Sequence, residues 1–204
     1  MLMALAAMLP AACQRTAPPA PVTPQAPVEP NEMPTPEVAD ENDPLASLAS
    51  EGEQAITGLQ VQQDIHHGTA WYQGRVPARG STAYLYLGKL GEGASTLRFV
   101  IRYQGTRRAD LGRCTVFVDG TEVGSFTPAP NSIDQPPDGS VLQLADIHFD
   151  EVRPIILAMV EGQSAVIRTN DGAEIVLGRA ELQEMRKVLA AYLHLQGSHA
   201  TPAP

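Results

Sequence analysis

The sharpest polar constellation in this 204-residue chain is Asp146-Ile147-His148-Phe149-Asp150. On an extended strand, Asp146, His148 and Asp150 fall on one face about 7 Å apart, with Ile147 and Phe149 opposite. Two carboxylates and an imidazole in that order suit a divalent metal or a proton. The competing reading is a solvated strand face whose Asp150 caps the following helix. His66-His67, with Asp64 nearby, is a second lure, but adjacent histidines on a strand point to opposite faces and chelate poorly. Cys114 would need a base and an electropositive setting to act as a nucleophile. Arg113 adjoins it, yet the alternation sets Cys114 with Val116 and Val118 on the apolar face. Glu181 and Glu184 lie three apart on a helix and are accounted for by capping and by pairing with Lys187. His194 and His199, near the C-terminal end, are given no chemical role. The last group is basic: Arg107, Arg108 and Arg113, joined by outward-facing Arg98 and Arg102. It suits an anionic partner such as lipid headgroups, cell-wall carboxylates or an acidic protein. The alternative is solvated loop arginines.

No Gly-x-Ser-x-Gly elbow, P-loop, dinucleotide fingerprint or His-Glu-x-x-His occurs. Two cysteines supply no zinc framework. The expectation is therefore a non-enzyme, with no catalytic residue, no cofactor and no assigned metal. The net charge of −9, from 14 bases and 23 acids, argues against nucleic-acid binding, because neutralising phosphates needs clustered Lys and Arg. After Pro44 the balance is 17 acids to 13 bases, so any basic patch is local.

The elements that must position these residues follow from period. In Leu97 to Tyr103 the apolar set Leu97, Phe99, Ile101 and Tyr103 alternates with Arg98 and Arg102, the pattern of a half-buried strand. Cys114–Val118, Asp119-Gly120 and Glu122–Phe126 predict a hairpin, as do Ala165–Thr169, Asn170-Asp171-Gly172 and Glu174–Leu177. Leu59–Ile65, Thr69–Arg75, Thr82–Lys89 and Val141–Phe149 read as further strands, the last with an imperfect alternation that suggests a bulge. Val152, Ile155, Ile156, Met159 and Val160 recur at helical spacing, with Asp150 or Glu151 as cap and Gly162 as stop. A second helix, about Arg179 to Gln196, carries Leu182, Met185, Val188, Leu189 and Tyr192, a Gly178/Glu181 capping box and Gly197 as its stop. Together these predict a mainly antiparallel α+β domain, a curved sheet or sandwich with two amphipathic helices near its C-terminus.

The N-terminal third reads differently. Met1 to Ala12 has no charge and is too short for a span of about 20 apolar residues, so it suits the core of a secretory signal. Nine of the 18 prolines fall between Pro18 and Pro44, and no aromatic residue precedes Trp71. A chain so poor in large apolar groups cannot offset its conformational entropy and is expected to be disordered. As a polyproline spacer at about 3.1 Å per residue it would reach on the order of 90 Å. Its Pro-x-x-Pro spacings also suit a proline-recognising module. The expected organisation is a signal over 1–12, a lipidation site and linker over 13–45, one domain over 46–196 and a tail over 197–204.

Two resemblances bear on function. Leu9-Pro10-Ala11-Ala12-Cys13 resembles a bacterial lipobox, which implies a lipid on Cys13 after cleavage before it. Gln14 in the next position then implies the outer membrane of a Gram-negative cell. Acylated Cys13 would leave Cys114 without a partner, as a small buried hydrophobe. Thr82 to Gly88, Leu97 to Tyr103, Val118-Asp119-Gly120 and the closing hairpin and helix are similar to an uncharacterised group of small bacterial lipoproteins, over roughly Leu59 to Gln196. That group carries acidic and aromatic residues where this chain has Gly105-Thr106-Arg107-Arg108-Ala109-Asp110, and it implies no known activity. The expected protein is an envelope lipoprotein: a binding module tethered to the periplasmic face of the outer membrane, with an envelope protein or cell-wall component as partner. The alternatives are a metal-dependent enzyme built on Asp146, His148 and Asp150, or an assembly subunit pairing through a strand edge.

Overall fold

Strict alternation organises the strands. A computed structural model describes residues 44–64, 68–90, 95–128 and 130–199. Helix α1 (Pro44–Thr57) leads into β1 (Gln60–Asp64), β2 (Thr69–Gln73), β3 (Thr82–Leu90), β4 (Ser95–Gly105), β5 (Cys114–Val118), β6 (Thr121–Phe126), β7 (Pro130–Asp134) and β8 (Val141–His148). Helix α2 (Phe149–Glu161), β9 (Ala165–Thr169), β10 (Glu174–Leu177) and α3 (Arg179–His199) complete the order. The strands form a six-stranded sheet, β1-β2-β3-β4-β8-β7, and a four-stranded sheet, β10-β9-β5-β6. Every pairing is antiparallel. The α+β class expected from the sequence holds, with two sheets and three helices among the described residues.

The turns behave as their residues require. Asp119 and Gly120 take φ of 49° and 82° between β5 and β6, and Gly172 takes 82° between β9 and β10, the left-handed conformations that tight hairpins demand. Asp119 also accepts backbone N–H bonds from Gln163 and Ser164, which ties this turn to the α2–β9 connection.

Leu85 and Leu87 on β3, and Leu97, Phe99 and Ile101 on β4, are buried beneath the six-stranded sheet. Phe99 meets Phe126 of the second sheet edge to face, with ring centroids 6.0 Å apart. The α2 stripe expected from the sequence is buried in full. So are Leu182, Met185, Val188 and Leu189 of α3, and Ala190 and Ala191 beside them, because α3 packs against β3, β4, β10, α2 and α1. Each fully buried Leu, Ile, Val or Met contributes about 1.5–3 kcal/mol.

Several expectations need correction. A third helix, α1, lies at the N-terminal side of the fold and begins at Pro44, inside the stretch read as linker. Strand β7 was not expected, since its sequence PNSID is short and polar. Strand β8 ends at His148, and Phe149 opens α2. The N-cap of α2 is His148, whose side chain makes no capping bond, in place of Asp150 or Glu151; both acids lie in the first turn, where the helix dipole favours them. Gly162 ends α2 as expected, but α3 runs through Gly197 to His199. Cys13, residues 1–12, the proline-rich stretch up to Asp43 and His66-His67 lie outside the described residues.

Candidate functional site

The outward face of the six-stranded sheet carries Arg98, Arg102, Asp146 and His148 of the polar residues singled out above. Its positions follow from register: Tyr86 pairs with Arg98 and Arg98 with His148, while Tyr84 pairs with Val100 and Val100 with Asp146. Alternation sends Ala83, Leu85 and Leu87 inward, so Tyr84 and Tyr86 face outward with Arg98 and Asp146.

Asp146 is the hub. Its Oδ1 accepts from Arg98 Nε at 2.8 Å, and its Oδ2 accepts from the Tyr86 hydroxyl at 2.8 Å. Arg98 Nη2 also donates to the Asp146 backbone carbonyl at 3.2 Å. The pair is largely shielded, with side chains 19% and 25% exposed. Burial, then the hydrogen bond to Asp146, pushes the Tyr86 hydroxyl up to about 12. Burial also raises Tyr84, helped by Asp146 and opposed by Arg102.

An aromatic step adjoins this hub. Trp71 on β2 meets the Tyr86 ring edge to face at 5.5 Å and remains 38% exposed. It lies directly over Gly88, its cross-strand partner, where a Cβ would come within 2.7 Å of the indole. Gly88 therefore clears the space that the indole occupies.

The expected trio separates. Asp146 and His148 share the β8 face, but Asp146 is engaged by Arg98 and Tyr86 while His148 is exposed at the strand end. Asp150 sits exposed in the first turn of α2, off the strand. Among the described residues, no group of three or more His, Cys, Asp or Glu is placed to hold a metal ion. The sheet brings Asp146 together with Tyr86 and Arg98 instead. Outward alternation marks all three, but only register shows that they meet.

The arginines likewise divide. Arg98 serves Asp146, and Arg102 donates through Nε to the Gly80 carbonyl at 3.1 Å and through Nη2 to the Pro77 carbonyl, holding the β2–β3 connection. Arg107 and Arg108 are exposed on the β4–β5 connection, and Arg113, also exposed, donates to Ser125 Oγ at 3.0 Å. Cys114 is fully buried, and burial pushes its thiol up to about 11, away from the range of a reactive thiolate. Glu181 accepts from the Gly178 backbone N–H at 3.1 Å, the capping contact its spacing implies. Glu184 accepts from Lys187 Nζ at 2.7 Å and from the Arg75 backbone N–H at 2.9 Å, so it also secures the β2–β3 connection.

Among the described residues, no helix is long and apolar enough to cross a membrane. No family model matches the chain, and comparison with curated proteins and with solved structures yields no match.

Proposed function

We propose that this chain is an envelope lipoprotein. Cys13 carries the lipid, the proline-rich run after it supplies reach, and the folded part is a non-catalytic binding module for an envelope protein or cell-wall component. The membrane is the outer one, on its periplasmic side, as the lipobox-like run with Gln14 implies. The observation that supports a binding role is the outward sheet face. Its carboxylate with the composition of a catalytic group, Asp146, accepts on both oxygens from neighbouring side chains and so braces the sheet. Beside it Trp71 stays 38% exposed on a surface of aromatic and amide side chains. Tryptophan is enriched among the residues that carry binding energy at interfaces.

Two measurements test the two halves. Growth of the producing bacteria with radiolabelled palmitate should label the mature chain, and the label should vanish in Cys13→Ser. An unlabelled chain that washes free in buffer overturns the anchor. In-cell crosslinking should trap a discrete partner that Trp71→Ala loses while its circular dichroism spectrum stays native. Retention of the same crosslink overturns the assignment of the face.

A further inference from the structure

We infer that strand β1 is a self-association edge, through which two copies of this chain pair antiparallel about a two-fold axis and join their six-stranded sheets into one. The inference stands independently of the lipid on Cys13, since it rests only on the folded part.

An edge strand presents a row of backbone N–H and C=O groups that another strand can take up, and proteins usually blunt such edges. Three of the four edges here are blunted. Strand β7 begins with Pro130, which has no N–H, and its register breaks between Pro130 and Ser132. Strand β6 shifts register opposite Val116 and Phe117, has Gly124 at φ 153°, and packs against α2. Strand β10 has only four residues and lies against β3 and α3. Strand β1 has none of these devices. It reads Gln60-Val61-Gln62-Gln63-Asp64, without Pro, Lys or Arg and with an unbroken register to β2. Among the described residues β2 is its one strand neighbour, and Gln60 to Gln63 are exposed.

The side chains argue for a second copy as the occupant. Glutamine amides both donate and accept, so a glutamine-rich edge is complementary to itself. Full antiparallel overlap of the five residues sets Gln62 opposite Gln62 of the other copy, Val61 opposite Gln63, and Gln60 opposite Asp64. No like charges meet, whereas parallel in-register pairing would set Asp64 beside Asp64. A two-fold contact of this kind closes on itself, leaving only the blunted β7 edges at the ends of the joined sheet, so it stops at a dimer. Val61, 49% exposed, gains cover from the partner strand. The edge spans about 17 Å, a contact smaller than the roughly 1,200 Å² of stable complexes, so the dimer depends on concentration.

Sedimentation velocity of the full chain, over a concentration series reaching about 1 mM, should move from monomer to dimer. A monomer throughout overturns the inference. The two-fold position supplies the decisive variants. Gln62→Lys and Gln62→Glu should each weaken self-association about fivefold through like-charge opposition, and an equal mixture of the two should restore it. Gln62 is exposed, so neither change disturbs the core. Ile133→Lys, on the exposed β7 edge, should leave the dimer intact. A mixture no better than either variant alone, or loss of the dimer in Ile133→Lys, overturns the assignment to β1.

Discussion

Gln143 closes both backbone groups of Ala109 at once. Its Oε1 accepts from the Ala109 N–H at 2.7 Å, and its Nε2 donates to the Ala109 carbonyl at 3.1 Å, with both residues buried. This contact pins the β4–β5 connection under β8. It also accounts for the imperfect alternation of Val141 to Phe149. Gln143 lies on the buried face, and the β4–β8 register has no break, so a buried amide stands where the sequence suggested a bulge.

Replacing Gln143 with Leu keeps the volume but leaves a buried N–H and C=O without partners. Each unsatisfied group costs about 1–3 kcal/mol. Urea denaturation should therefore show a loss of about 2–6 kcal/mol, and Gln143→Glu, which sets a buried carboxylate against the Ala109 carbonyl, should lose at least as much. A Leu variant as stable as the parent would disprove the pinning role.

Asp146 should behave as a structural carboxylate. Asp146→Ala leaves Arg98 partly buried without its ion pair and should cost about 1–3 kcal/mol. A double-mutant cycle with Arg98→Ala should recover part of that cost as coupling. Calorimetric titration with zinc, calcium or manganese should give no tight binding that Asp146→Ala removes. Tight binding abolished by that change would restore the metal-site reading.

Strands and their inward faces were legible because period two survives in short windows: Leu97 to Tyr103 and Cys114 to Val118 needed no tertiary information. Helix α1 was not, because its buried side is narrow: only Leu48 and Gly52 are buried, and the value of Gly52 appears only against α3. Strand β7 was hidden by its proline and polar residues. The site was half legible. Alternation placed Asp146 and Arg98 outward, but Tyr86 was not singled out, and which side chains touch depends on how β3, β4 and β8 are registered, which no local pattern encodes.

Alkali should expose the Tyr86 contact. The hydroxyl ionises near 10.0 when unfolded and near 12 in the fold. A group raised in this way contributes stability that is fully present below pH 10 and lost as pH rises toward 12. Thermal melts should therefore decline across that window, and Tyr86→Phe should decline less steeply. Burial raises Tyr84 and Tyr192 as well, so phenolate absorbance should resolve several late-titrating tyrosines, one fewer in the variant. A Tyr86 hydroxyl that ionises near 10.0 in the fold would show that neither burial nor Asp146 holds it protonated.

Two helical glycines should respond to alanine with opposite signs. In an open helix, Gly→Ala stabilises by about 0.8–1.0 kcal/mol. Gly197 in α3 meets that condition: a Cβ there has nothing within 4 Å, so Gly197→Ala should stabilise. Gly52 in α1 does not. A Cβ there would lie 2.2 Å from His194 Cβ and 2.5 Å from the Ala190 carbonyl oxygen, so the two helices must move apart. Overpacking of this kind costs about 1–3 kcal/mol, which outweighs the gain in propensity. Gly52→Ala should therefore lower the melting temperature and speed hydrogen exchange in α1 and the facing turns of α3. Two shifts of the same sign would show that α1 does not rest on α3 at this glycine.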